Sequence, residues 1–591
     1  MKNILIFILL SFFTCLAYSQ GRESYQIAYD PTIENPEQYA SYDCVNLLDS
    51  TDVTLLPNGE TSHVIRRIIK TMNKRGAISH RILKHSYNPS VTYAEFYRVT
   101  VYKANGDVFN LDITEQQNYI SPACMLHHGS QQIMMEVGHL DPGDIVDYRI
   151  NLKGLKQETS TFHEIPLSES SMPIVRKVYK VHVPIEKKIQ FLQIPKRNTS
   201  SIDNEDGRIA YTFIETDIIP TQPTSNKSLL SEIKGRYSKL EKAWILNPDG
   251  SQTLRIQMEL DHLSSIDSTD LFWKSLFVYN PNYQKLTINN AYIKQKNRSI
   301  LQLSTDVFME CLPYEAIDAP DYNHLKEMIL LLPEVESVKK IFLDYSIHTQ
   351  ATYQSELDLF EEIGQSSPIK KYTLSVTTPE DKPLTYSFIN LSAKPSVKHS
   401  KGMCTTQWKF RNLPDKESVS NQQPSYLSAT TYKTQAEAFA VLSHRFETEE
   451  NMQLITIAEG LLEDIDDEIK QIKAIQTYVV DHFDNHTLPL SLTAYRFRPT
   501  DSLLRSAYGT EVEKANLLIG LLNNAGFIAE PIAMYASKNP KGLGLKGINR
   551  LYVSCKVGKE NYLLSPTSNE IFKQTEATPF PLFKIHEGTS L

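Results

Sequence analysis

The stretch RSAYGTEVEKANLLIGLLNNAGFIA, Arg505 to Ala529, decides the reading of the C-terminal part of this chain. Gly509 ends a loop, and a helix opens with Glu511 and Glu513 in its first turn, where carboxylates favour the positive end of the helix dipole. Leu517, Leu518, Leu521 and Leu522 fall at helical spacing and give it a wide apolar face. Asn523, Asn524 and Gly526 stop it, and a strand-like run from Ile528 to Tyr535 follows. Glu511 and Glu513 are two apart and do not face each other, so they make no paired-acid site.

Downstream stand Asn549-Arg550 and Ser565-Pro566-Thr567. With the helix, these positions resemble the transglutaminase-like, papain-type fold. That family's pattern reads Gly, any residue, Cys, any residue, Asp, Lys, Ala, then Leu-Leu and a closing Gly. Asn-His and Asp-Pro-Thr follow on later strands. Gly509, Lys514, Ala515, Leu517, Leu518 and Gly526 keep the frame. Glu511 stands at the Cys place, Glu513 at the Asp of the helix, Arg550 at the His place and Ser565 at the orienting Asp.

The resemblance implies a site without its chemistry. An active member uses a thiolate activated by a helix N-terminus and an imidazolium, with an Asp orienting the ring. Glu511 is a far weaker nucleophile toward an amide. Arg550 can neither take nor give a proton near neutral pH, and Ser565 has no imidazole to orient. The expectation is a pseudoenzyme in which Glu511 and Arg550 meet as an ion pair across the former nucleophile–base gap. Cys555 alternates with the core-facing Leu551 and Val553 and reads as a buried structural thiol. His482 and His486 have a helical metal spacing, but Asp484-Asn485 signals the helix end and no third ligand is evident. His127-His128 reads as a solvated loop. No metal and no cofactor are expected.

The 591 residues imply several domains. A net charge of −8, with no Lys/Arg-rich run, argues against a nucleic-acid partner. The N-terminus reads as a secretory signal over residues 1–19. Lys2 precedes an apolar run from Ile4 to Leu16, and Ala17-Tyr18-Ser19 offers a cleavage site before Gln20. A lipoprotein signal using Cys15 is the alternative, with Thr14 a poor residue before it. No later stretch is long and apolar enough to span a bilayer. Beyond Cys15, the cysteines Cys44, Cys124, Cys311, Cys404 and Cys555 are odd in number and show no paired spacing.

The middle of the chain repeats. Pro57-Asn58-Gly59 is matched by Pro248-Asp249-Gly250, and Tyr87-Asn88-Pro89 by Tyr279-Asn280-Pro281. PIVRKVYKVHVP, Pro173 to Pro184, aligns without a gap on PIKKYTLSVTTP, Pro368 to Pro379. Hairpin signals surround these anchors, so a β-domain is duplicated in tandem. Each copy resembles the β-sandwich that precedes transglutaminase-like domains in bacterial envelope proteins. The first keeps that family's Leu140-x-Pro142-Gly143-Asp144 stretch with Tyr148, whereas the second has lost its Pro-Gly around Val335 to Tyr345.

The expected class is therefore α+β: β-sandwiches over 45–228 and 236–425, then a transglutaminase-like domain over 430–591. Three functions fit: an exported scaffold binding peptide, glycan or envelope-protein partners; an active peptidase, amidase or transferase using other residues; or a structural part of an envelope assembly.

Overall fold

Strict alternation makes the strands. In Gln252–Asp261, Leu254, Ile256, Met258 and Leu260 are buried and every second residue between them is less so. The computed structural model describes residues 39, 41–56, 58–119, 131–154, 172–186, 199–205, 207–220, 230–263, 271–332, 338–415, 424–446, 451–535, 544–575 and 581–590. The expected signal at 1–19, Cys15, Cys124, His127 and His128 lie outside these residues, as does the start of the second copy's altered turn. The chain divides into two units, Met1–Asn226 and Lys227–Leu591.

In the first unit an eight-stranded sheet runs in the order Thr199–Glu205, Arg208–Ile218, Ile174–Pro184, Cys44–Leu55, Thr61–Thr71, Ile145–Gly154, Thr92–Tyr102 and Val108–Asn110. A three-stranded sheet, Ile82–Tyr87, Gln131–Glu136 and Gln117–Tyr119, packs on it. Phe96, Val146 and Ile150 from the large sheet share one core with Leu83, Ile133 and Met135 from the small one.

The second unit repeats this sheet strand for strand. The order is Ser396–Ser400, Met403–Leu413, Ile369–Pro379, Arg236–Leu246, Gln252–Asp261, Val338–Thr349, Gln284–Gln295 and Ile300–Gln302. In both sheets the first strand of the repeat pairs antiparallel with its hairpin partner. On its other edge it pairs parallel with the aligned segment, Ile174–Pro184 or Ile369–Pro379. An ion pair is duplicated too. Arg66 grips Asp147 with Nε at 3.0 Å and Nη2 at 2.7 Å, and Arg255 grips Asp344 with Nε at 2.9 Å. Each Asp lies two residues before the residue opposite its Arg, Arg149 or Ser346. The duplication expected from Pro173–Pro184 and Pro368–Pro379 is thus visible in strand order, in pairing sense and in one salt bridge.

The rest of the second unit is α+β. Helices Gln435–Ser443, Met452–Leu462, Glu468–His482, Thr500–Ser506 and Glu511–Asn524 pack with a sheet ordered Ile571–Lys573, Glu560–Leu564, Ile548–Val557, Ile528–Tyr535, Leu582–Lys584. Glu511–Asn524 is the central element, buried on every side from Val512 to Leu522, as a helix enclosed by neighbours must be. Gly520 lets Met452–Leu462 approach closely, because a Cβ there would lie 2.8 Å from Leu454 Cδ1. The sequence reading did not find Met452–Leu462.

Asp358, on the strand Asp358–Glu362, ties the second repeat to this C-terminal part. Its Oδ2 accepts the N–H groups of Leu545 at 2.7 Å and Lys546 at 2.9 Å. Gly544 sits at φ +51° against the same carboxylate, and its carbonyl accepts Tyr535 OH at 2.6 Å. A Cβ on Gly544 would fall 1.8 Å from Asp358 Oδ1. Gly544→Ala is therefore expected to cost about 2–4 kcal/mol, the left-handed strain plus the clash. Gly558→Ala, at φ +59° with open space around it, is expected to cost only about 1 kcal/mol. Urea denaturation of the two variants measures the difference, and equal costs would remove the argument from the Asp358 contact.

Candidate functional site

The N-terminal turn of the central helix is built around Glu513 rather than Glu511. Its carboxylate is fully buried, and Oε2 accepts the Thr510 N–H at 2.9 Å, half of a capping box. Arg498 supplies three more bonds: its backbone N–H and Nε each reach Oε1 at 3.0 Å, and Nη2 reaches Oε2 at 3.1 Å. Tyr322 OH donates to Oε1 at 2.5 Å. These donors hold the carboxyl below its usual range against the desolvation that would raise it.

Arg498 is satisfied in turn. Nη1 reaches Asp321 Oδ2 at 2.6 Å, Nη2 reaches the Tyr508 carbonyl at 2.7 Å, and the guanidinium lies 4.3 Å from the centre of the Tyr508 ring. Asp321 and Tyr322 belong to the 3₁₀ turn Pro320–Tyr322 of the second repeat. Two segments far apart in sequence therefore meet on one arginine. Lys514, the next residue, is also buried, and its Nζ donates to the Phe483 carbonyl at 2.7 Å. Arg498, Asp321 and Tyr322 escaped the sequence reading because no short-range spacing marks them.

Glu511 is half-buried. Desolvation pushes its carboxyl up to about 7, opposed by the Leu551 backbone N–H and more weakly by Arg550. The expected ion pair with Arg550 is not formed: no contact within 4 Å joins the two. Strand alternation gives the reason. Leu551, Val553 and Cys555 face the central helix and share its core, while Tyr552 packs on the opposite face with Ile532, Met534 and Leu563. Arg550 is on the Tyr552 side. It is 56% exposed and lies 3.7 Å from Glu570.

Ser565 is buried and spends its hydroxyl on a turn, accepting the N–H groups of Thr567 at 3.3 Å and Ser568 at 3.2 Å. Gln476, from the helix Glu468–His482, fixes the same turn by donating to the carbonyls of Ser565, Ser568 and Glu570. Glu511, Arg550 and Ser565 thus occupy one neighbourhood of the fold without converging on a common point.

Cys555 is fully buried and its thiol is pushed up to about 12 by desolvation. The helix ends at His482, so His486, on the strand Asp484–His486, stands off its face. His486 packs edge-on against Tyr508 at 5.1 Å.

Two outcomes follow from these environments. Arg498→Met strands the Glu513 carboxylate and is expected to cost about 3–5 kcal/mol, part of which Glu513→Gln in the same chain restores, as denaturant midpoints will show. Glu511 behaves oppositely. Its folded value of about 7 stands above the ordinary 4.5, so folding takes up a proton between those values and stability falls as pH rises through that window. Glu511→Gln is expected to match the parent near pH 4.5 and to exceed it by about 1–3 kcal/mol at pH 8, read from denaturation curves at the two pH values.

The comparisons with known proteins concern the repeats and the whole chain. Residues 57–221 and 270–417 match the family model described as a domain of unknown function with solved structure, DUF3857. The chain is similar to a crystal structure from Parabacteroides distasonis titled a "putative protease", with 31% identity and a TM-score of 0.53, covering 60% of this chain and 71% of that one. A structure from Cytophaga hutchinsonii titled a "putative cysteine protease" aligns at 12% identity over 39% of this chain and 84% of that one, and its TM-score of 0.19 is too low to bear on the fold. No curated protein matches. With both repeats matched, over half of its length in all, this chain belongs to the DUF3857 family and carries that domain twice.

Proposed function

We propose that this protein is an exported, catalytically inactive transglutaminase-like protein that binds peptide, glycan or protein partners in the cell envelope. One observation carries the reading: the three positions that would hold a Cys-His-Asp triad contain a carboxyl, an outward-facing arginine and a serine consumed by its own turn. A thiol attack needs a thiol and a neighbouring base within hydrogen-bond reach, and no thiol or imidazole stands at these positions. Loss of chemistry leaves the grooves of such a fold open to binding. A hollow of about 460 Å³ in the second repeat, lined by Tyr279, Tyr283, Glu310 and His348 among others, offers the rings and charges that peptide and glycan sites use. Among the described residues no helix is long and apolar enough to cross a membrane.

The name carried by the Parabacteroides structure favours a second reading, a peptidase or amidase working through other residues. Glu511 would be its general base, since a carboxyl near neutrality is matched to that task. Purified protein incubated with peptides and cell-wall fragments, with binding and product followed together, separates the two. Binding without product is expected, and unchanged in Glu511→Gln. Product formation abolished by Glu511→Gln would overturn the inactive reading, and absence of both would leave a structural role.

A further inference from the structure

Four cysteines lie among the described residues, and three are buried. Desolvation pushes the thiols of Cys311 and Cys555 up to about 12 and that of Cys44 up to about 11, which keeps them neutral and inert. Cys44 even has an imidazole beside it, His80 Nδ1 at 3.2 Å, but the sulfur is closed off from solvent.

Cys404 is different because it is partly exposed and carries a relay of side chains. It stands on the strand Met403–Leu413, opposite His399 on Ser396–Ser400 and opposite Thr378 on Ile369–Pro379. Residues directly opposite across a ladder point to the same face. Cys404 Sγ lies 3.9 Å from His399 Nε2, and His399 Nδ1 lies 3.0 Å from Glu380 Oε1. Backbone holds all three in place. Lys401 and Gly402 form the two-residue hairpin turn at φ +54° and +73°, which fixes the register between His399 and Cys404. The Glu380 N–H then donates to the Gly402 carbonyl at 3.0 Å. The ionisable groups adjacent in sequence are Lys398, Lys401, Asp381 and Lys382. Lys398 sits opposite Thr405, hence on the other face, and Lys382 is paired with Glu356.

Glu380 accepting the Nδ1 proton fixes the tautomer in which Nε2 is a bare acceptor aimed at the thiol. We propose that Cys404, His399 and Glu380 form a reactive-thiol site that takes up small disulfides of the oxidised-glutathione class. His399 Nε2 takes the proton from Sγ, and the thiolate attacks one sulfur of the disulfide. A new S–S bond forms to Cys404 as the old one breaks, and the departing thiolate recovers the proton from His399. One thiol and one disulfide enter, and one of each leaves. Among the described residues no other cysteine is exposed to resolve the product.

The test is to incubate the full chain with oxidised glutathione from pH 5 to pH 9 and follow adducts by intact mass and peptide mapping. A single adduct on the Cys404 peptide is expected, absent in Cys404→Ser. Near pH 7 the parent should form the adduct severalfold faster than His399→Gln, with Glu380→Gln between them. The advantage should disappear by pH 9, where thiols ionise without a neighbouring base. Equal rates near pH 7 for the parent and His399→Gln, or a Cys404 that reacts only after unfolding, would overturn the proposal.

Discussion

Arg498 sits where the second repeat meets the start of the central helix, and it brings a positive charge into a place with almost no water. Such a charge is tolerable only when matched, and Glu513, Asp321, the Tyr508 carbonyl and the Tyr508 ring together match it. The consequence runs outward from that point. Glu513 can cap the helix from inside the core, the turn Pro320–Tyr322 is pinned against Tyr508, and the parallel pairing of Tyr508–Thr510 with Asp484–His486 is held beside it. The C-terminal part is thus built onto the repeat by charge as well as by apolar packing.

This arrangement also explains why two acidic residues in the same helical turn behave so differently. Glu513 faces five donors and is kept ionised. Glu511 is desolvated, offset only by one backbone N–H and more weakly by Arg550, and its carboxyl is pushed up to about 7. Dipole complementarity treats the two alike, whereas the environment of each decides its charge. A functional reading of this helix therefore turns on which residue looks inward.

Much of the architecture was legible in residue order. Pro173–Pro184 and Pro368–Pro379 announced a duplication that strand order then displays, and the span from Glu511 to Gly526 announced the central helix and its boundaries. What stayed hidden depends on long-range meetings. Nothing around Tyr322 shows that it will touch Glu513, and nothing around Gln476 shows that it will brace the turn after Ser565. The expected pairing of Glu511 with Arg550 failed on a matter of parity. The alternation that placed Cys555 correctly in the core also turns Arg550 away from the helix, so the ion pair conflicted with a pattern already visible in the strand.

The parallel pairing inside each repeat carries a kinetic consequence. Cys44–Leu55 and Arg236–Leu246 can zip to their hairpin neighbours as soon as these are made, but their other edges wait for Ile174–Pro184 and Ile369–Pro379, which come much later in the chain. Until those segments arrive, each nascent sheet presents a bare row of backbone donors and acceptors, and two edges of the same pairing sense exist in one molecule. The correct partner must outcompete its own duplicate. Pro173–Pro184 and Pro368–Pro379 keep the pattern but few of the residues, and side chains that differ between the copies are what a nascent edge has to tell its own partner from the duplicate.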